Sequence, residues 1–391
     1  MGKKVLLGLS GGVDSAVAAV ILKEQGYDVT CAFMRNWDAL ANNDILGNPT
    51  IQDDVCPQEA DYMDAKRVAD RLGLELLRVD FVKEYWDNVF TQFLDEYKKG
   101  RTPNPDILCN KYVKFDAFFK FAMEQGFDLV ATGHYARVSN EGETKLLRGS
   151  DENKDQTYFL CQVPVHALAK TLFPIGDLAK PEVRRIADEW ELAVAKKKDS
   201  TGICFIGERN FKQFLQNYLP AKPGIIVDIN SLAQVGSHEG VLYYTIGQRR
   251  GMGIGGDHGP YFVVGKDVEK NILYVANGDE NEWLLSDSCL VSGVNWFAKD
   301  KPQGELQCSA KFRYRQKDNE VTIRFIDDTT VFVKCDPAVK AVTCGQEAVF
   351  YQGECCLGGQ GTNSGNTPMC SCYIGLPAPQ VPAFHTGYSG M

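Results

Sequence analysis

The chain has 391 residues, with 42 Lys and Arg against 51 Asp and Glu, a formal charge of −9, and a composition 44% hydrophobic and 24% charged. That length exceeds one ordinary core and predicts two or three domains of soluble globular type, which excludes fibrous and wholly disordered classes. No apolar run reaches membrane-spanning length and no signal peptide is evident, so the expectation is a cytoplasmic protein, or the mature form of an organellar one, with no membrane partner.

Strand-like and helix-like segments alternate over the first 135 residues. "KKVLLGLS" reads as a buried strand, and residues 13–25 read as a helix stopped by Gly26. "DVTCAFM" (28–34) is a second strand, and residues 58–72 have helical spacing. "LELLRVDF" is a third strand, residues 83–98 an amphipathic helix, "KYVKFDAFFKFAMEQG" another, and "DLVATGH" (128–134) a fourth strand. Such alternation implies a parallel α/β sheet, whose ligands sit at the carboxyl ends of the strands. The residues placed there are the Ser10 loop, Met34–Arg35 and Gly133–His134. Segment 35–57 is long for a loop and is expected to be mobile or functional.

After about residue 205 short β-rich segments with glycine turns take over, among them "GIIVDINS", "GVLYYTIGQRRGMGIGG", "LQCSAKFRYRQ", "EVTIRFID" and "QEAVFYQGECCLGG". They predict two smaller β-rich domains, the last a β-barrel. The expected bounds are 1–205, 206–280 and 281–359, with 360–391 an irregular Gly-, Pro- and Ser-rich tail.

The 13 cysteines include no C-x-x-C pair, and the five histidines show no metal-ligand spacing, so no protein metal site is expected. Most of the thiols read as buried core groups. Basic clusters "KKK" (196–198), "RR" (249–250) and "KFRYRQK" (311–317) keep nucleic acid open in an otherwise acidic chain.

"GLSGGVDS" (residues 8–15: Gly8, Leu9, Ser10, Gly11, Gly12, Val13, Asp14, Ser15) joins the first strand to the first helix. Small residues let backbone N–H groups approach a ligand, and the helix start favours negative charge, so the pair forms an anion cradle. No lysine follows the glycines, which excludes a Walker A loop, and the glycine spacing is wrong for a dinucleotide loop. Asp14 suits a magnesium ligand or an N-terminal cap. Ser and Gly also suit an ordinary strand-to-helix turn.

"GRTPNPDILCN" (100–110) brackets Asn104 between Pro103 and Pro105 and places Cys109 three residues after Asp106. The prolines predict a stiff loop holding Asp106 and Cys109 close together. The carboxylate would oppose a thiolate, so Asp106 fits proton transfer better than charge stabilisation. On the residues alone both Cys109 and Cys204 read sooner as buried structural thiols than as reactive ones.

The S-G-G-x-D-S loop is similar to that of the N-type ATP pyrophosphatases. Together with "FMRNW", "GRTPNPDILCN", "ATGHYAR", "KDQTYFL", "STGICFIGERNF", "YTIGQRRGMGIGG" and "KFRYRQ", in order from residue 3 to about 359, it resembles the tRNA-specific 2-thiouridylase family. The resemblance implies ATP with Mg2+ at residues 8–15, Met34 and Gly133. It implies Cys109 as nucleophile, Cys204 as persulfide carrier, a transient disulfide between them, and Asp106 as general acid or base. It implies tRNA contacts from Asn104, Pro105, Asp106, His134, Lys154, Asp155, Gln156, Arg313, Tyr314 and Gln346. Its partners would be tRNA and a persulfide-donating sulfur-relay protein or cysteine desulfurase. Its reaction is ATP-dependent 2-thiolation of the wobble uridine. The competing readings are another ATP pyrophosphatase, either an amide-forming ligase or a different tRNA thiolase, and a catalytically silent ATP-dependent tRNA-binding protein. A ligase has no need of two thiols, and the iron–sulfur thiolases would show C-x-x-C.

Overall fold

A computed structural model describes residues 2–53, 56–199, 202, 206, 209–255, 259–298 and 304–360. Cys204 and the 361–391 tail lie outside the described residues.

The head of the molecule is a five-stranded parallel sheet in the order β3-β2-β1-β4-β7. Its strands are β1 (Lys4–Gly8), β2 (Asp28–Arg35), β3 (Glu75–Asp80), β4 (Leu129–Ala131) and β7 (Thr171–Leu172). Val5, Leu6 and Leu7 are fully buried, as expected of an unbroken apolar run covered on both faces. Each such side chain contributes about 1.5–3 kcal/mol by leaving water. Helix α1 (Val13–Glu24) covers one face with a run of buried residues from Ser15 to Val20. Helix α2 (Pro57–Leu72) starts with proline at its first turn and ends at Gly73 in the left-handed region. Leu7 of β1 pairs with Cys31 on one side and Ala131 on the other. The strand order switches at β1, with β2 and β3 on one side and β4 and β7 on the other, and it is at the carboxyl ends beside such a switch that parallel sheets take their ligands.

Two β-rich bodies follow. Strands β8 (Gly224–Asp228), β9 (Gln234–His238), β10 (Tyr261–Asp267) and β11 (Ile272–Asn277) form a sheet in the order β10-β11-β8-β9. A nine-stranded sheet contains β12 (Leu285–Val291), β13 (Val294–Trp296), β14 (Glu305–Lys311), β15 (Asn319–Phe325), β16 (Val331–Lys340), β17 (Val349–Gln352) and β18 (Cys355–Gln360). Its remaining two strands, β5 (Ala136–Ser139) and β6 (Lys145–Arg148), come from the head, with β6 pairing onto β18. Val331, Val333, Ile323, Ala310 and Phe350, all fully buried, form the core of this sheet.

Four local expectations change. Residues Pro105–Cys109 are helical rather than a stiff loop, because Pro105 occupies the first helical turn, where its missing N–H costs nothing. "TIGQRRGMGIGG" forms turns rather than a strand, with Gly247, Gly251 and Gly253 at positive φ. In "KFRYRQ" the strand stops at Lys311, and a turn is closed by Gln316 Oε1 accepting from Phe312 N at 3.0 Å. Segment 35–57 is tied down where it is described. Buried Asp44 pairs with Arg209 at 2.8 Å and accepts from Trp37 Nε1 at 3.0 Å, while Asn217 holds the backbone of Leu46.

Candidate active site

The loop between β1 and α1 is fastened from inside. Ser10 N donates to Ser15 Oγ at 3.2 Å, and the Ser10 and Ser15 hydroxyls lie 3.1 Å apart. Gly11 sits at φ +77, and a Cβ there would lie 2.2 Å from Asp61 O, so only glycine fits. Gly133 is equally constrained: a Cβ would come within 2.6 Å of Ser15 N, so the end of β4 touches the first turn of α1. Gly12 precedes α1 without any side-chain cap. The first-turn N–H groups of a helix have no partner within it, which suits this start to an anion.

Ion pairs surround the loop. Asp14 accepts from Tyr135 Oη at 2.8 Å and from Lys180 Nζ at 2.7 and 2.9 Å. Lys180 also pairs with Asp199 at 2.7 Å, and Asp199 takes Lys154 at 2.6 Å and Arg184 at 2.7 Å. Burial alone would raise the Asp199 carboxyl, but hydrogen bonds from Lys154 and Lys180 outweigh it and bring it down to about 2. Lys197 donates to Gly11 O at 3.0 Å and pairs with Asp61 and Asp64, each at 2.7 Å. The middle lysine of the "KKK" cluster thus serves the loop. Lys180, Tyr135 and Asp199 were not legible in the sequence, since their partners lie far away along the chain.

The second half of the site is the helix Pro105–Cys109. Asn104 caps it, its Oδ1 accepting from Asp106 N at 3.1 Å. Asp106 and Cys109, three residues apart, share one helix face. Cys109 is fully buried in the same apolar cluster as Met34 and Phe118. A π-helical stretch, Asn110–Ala117, continues the helix and carries Lys114 to His134 at the end of β4. Lys114 Nζ lies 3.4 Å from His134 Nε2, and Thr132 Oγ1 lies 2.7 Å from Nδ1. An ammonium only donates, so Nε2 accepts and Nδ1–H donates to Thr132. Burial, reinforced by the Lys114 charge, holds the His134 pKa well below its ordinary value and the ring neutral.

The other expected contact residues are largely engaged within the fold. Lys154 holds Asp199. Asp155 is buried, its Oδ1 accepting from Gly149 N at 3.1 Å and Thr157 N at 3.2 Å. Gln156 Oε1 accepts from Tyr135 N at 2.9 Å. The Arg313 guanidinium donates to Ile246 O at 2.7 Å, Ala341 O at 3.1 Å and Thr343 Oγ1 at 2.9 Å. Tyr314 packs on Phe159, with ring centroids 4.4 Å apart. Gln346 Nε2 donates to Thr102 O at 2.8 Å, two residues before the cap of the Cys109 helix. Arg315 is exposed.

The chain matches the family description "tRNA methyl transferase HUP domain" over residues 3–208, "tRNA methyl transferase PRC-barrel domain" over 212–277 and "Aminomethyltransferase beta-barrel domain" over 286–361. A protein of Mycoplasma capricolum named tRNA-specific 2-thiouridylase MnmA is 56% identical over 92% of this chain and 98% of its own length. Its namesake in Mesoplasma florum is also 56% identical, over 92% and 98%. That of Bacillus cytotoxicus is 54% identical over 91% of this chain and 93% of its own.

Proposed function

Because the chain belongs to the tRNA-specific 2-thiouridylase family, we propose that it is the enzyme that places sulfur on C2 of a uridine in tRNA. The observation that carries this reading is what the fold gathers beside the switch in strand order. The helix start at Gly12 is uncapped, and Met34, whose Cε would lie 3.0 Å from a Cβ at Gly8 of the same loop, shares an apolar cluster with Cys109 in the helix that bears Asp106. The HUP-type head goes with use of ATP. Mg2+ would enter with the nucleotide, held by Asp14, and would neutralise phosphate charge. Residues 8–15, Met34 and Gly133 take the nucleotide.

The chemistry follows from what C2 requires. The uracil C2 oxygen attacks the α-phosphate of ATP and pyrophosphate departs, which makes that oxygen a leaving group. The terminal sulfur of a Cys204 persulfide bonds to C2 and AMP leaves. Cys109 thiolate then attacks the Cys204 sulfur; the old S–S bond breaks, sulfur stays on the base, and a Cys109–Cys204 disulfide forms. An external dithiol reduces that disulfide and is itself oxidised to a disulfide, and a protein persulfide recharges Cys204. Asp106 moves the proton, and Asn104 and Pro105 border the base, in this reading at the wobble position.

The 1–205 head performs this chemistry, while residues 206–280 and 281–359 support the tRNA. Neutral His134, through its Nε2, holds Lys114 where the RNA would lie, Lys154, Asp155 and Gln156 border it, and Gln346 lies beside the base-holding helix. At the turn following β14, Arg313 and Tyr314 fix the backbone, and exposed Arg315 meets phosphate. Mass spectrometry of nucleosides from tRNA incubated with the protein, Mg-ATP and a persulfide donor tests the reading. It predicts 2-thiouridine matched by equal AMP and pyrophosphate; ATP binding with no 2-thiouridine would favour a silent tRNA binder.

A further inference from the structure

We infer that Lys180 is a phosphate ligand held in reserve, which gives up the Asp14 carboxylate and turns to the nucleotide when a triphosphate enters. This rests on the reading that residues 8–15 bind ATP.

Asp14 lies in the first turn of α1, the point to which a bound phosphate chain and its cation are drawn. Both of its oxygens are already engaged, Oδ1 by Tyr135 and Lys180 and Oδ2 by Lys180. Burial, then the Asp14 carboxylate, push the Tyr135 phenol far above its ordinary pKa, so it stays a donor. For Asp14 to meet a cation, the ammonium must yield its place. Lys180 need not leave, because its second anchor, Asp199, is 2.7 Å away. Its backbone N is also fixed, donating to Asp151 Oδ2 at 2.9 Å.

Asp199 does not depend on Lys180, since Lys154 and Arg184 pair with it as well. Within this ion-pair network two carboxylates face three cations. Releasing Asp14 therefore frees N–H donors of Lys180 beside the uncapped start of α1 without stranding a buried charge. The Lys180 side chain is only 13% exposed, against 32% for Asp14, so it approaches the loop from the protein side and leaves the open side to the ligand. Lys197 does not compete for this role, because it is fixed on Gly11 O, Asp61 and Asp64.

Calorimetric titration of ATP and of AMP, at one fixed Mg2+ concentration, separates this role from a structural tie. A phosphate ligand acts on the β- and γ-phosphates, which AMP lacks. Lys180→Met should weaken ATP binding roughly ten- to a hundredfold, the worth of one charge-assisted hydrogen bond, and leave AMP within about twofold. Lys180→Arg, which keeps charge and donors, should retain most of the preference for ATP. Should Lys180→Met fail to fold, Lys180→Gln carries the same comparison. An unchanged ratio of ATP to AMP affinity, or equal loss of both, overturns the proposal. Wild-type protein that binds ATP no better than AMP removes the nucleotide reading along with it.

Discussion

Arg313 and Arg315 stand two residues apart and do different work. The Arg313 guanidinium satisfies three oxygens from the central and C-terminal bodies, and burial lowers its pKa. Removing it breaks three hydrogen bonds and leaves Ile246 O without this donor, while Ala341 O keeps Thr343 Oγ1, so Arg313→Ala should lower the thermal midpoint by about 4 °C or more. Arg315→Ala should leave the midpoint within about 1 °C and reduce the salt dependence of tRNA binding by about one charge. Equal midpoints for the two variants would contradict this division. Charged and aromatic alternation in "KFRYRQ" suggested a strand, because sequence spacing carries no sign of a side chain recruited by Ile246 O, 67 residues away. His134 gives a second residue-scale outcome. Its folded pKa lies below 6.5, so above that pH both states are neutral, and below it the unfolded chain alone takes the proton. Stability should therefore fall by about 1.4 kcal/mol per pH unit below pH 6.5 from this group, and His134→Gln should be flatter across pH 6.5 to 5. Parallel pH profiles would show the ring to be titrating freely.

At the scale of elements, the β1–α1 loop and the four strands around it were legible, because buried parallel strands leave continuous apolar runs. β7 was not: two residues, Thr171–Leu172, give no period to read. The Cys109 helix was read as a loop because its prolines were weighed as breakers, although proline in a first helical turn is a start signal. Its placement depends on the Asn104 cap. Asn104→Asp keeps an acceptor for Asp106 N and should hold the midpoint within about 1 °C, since capping by Asp and Asn is nearly equivalent. If Asn104 also borders the uracil, the same change should cut thiolation at least about tenfold by setting a charge against the base. Full turnover in Asn104→Asp would confine the residue to capping.

At the scale of the whole molecule, the site is assembled by all three bodies. Thr102 N donates to Cys344 O at 2.9 Å, Gln346 donates back to Thr102 O at 2.8 Å, and the Thr102 and Thr245 hydroxyls lie 3.2 Å apart. Gly345, between the first two partners, has φ +90, and a Cβ there would come within 2.9 Å of Thr102 N. Gly345→Ala should displace the arm leading to Cys109 and lower thiolation about tenfold, while ATP affinity is unchanged. Equal loss of ATP binding would mean that the barrel supports the fold rather than the base-holding helix. No such closure was readable beforehand, since it joins residues about 240 apart by backbone contacts. What the sequence did show was a short stretch dense in unusual residues, "GRTPNPDILCN", whose Asp106 and Cys109 lie on one helix. The most direct test of the account is nucleoside mass spectrometry of tRNA treated with Cys109→Ser protein, Mg-ATP and a persulfide donor. The account predicts ATP binding as in the wild type with 2-thiouridine lost; 2-thiouridine formed at the wild-type level would contradict it.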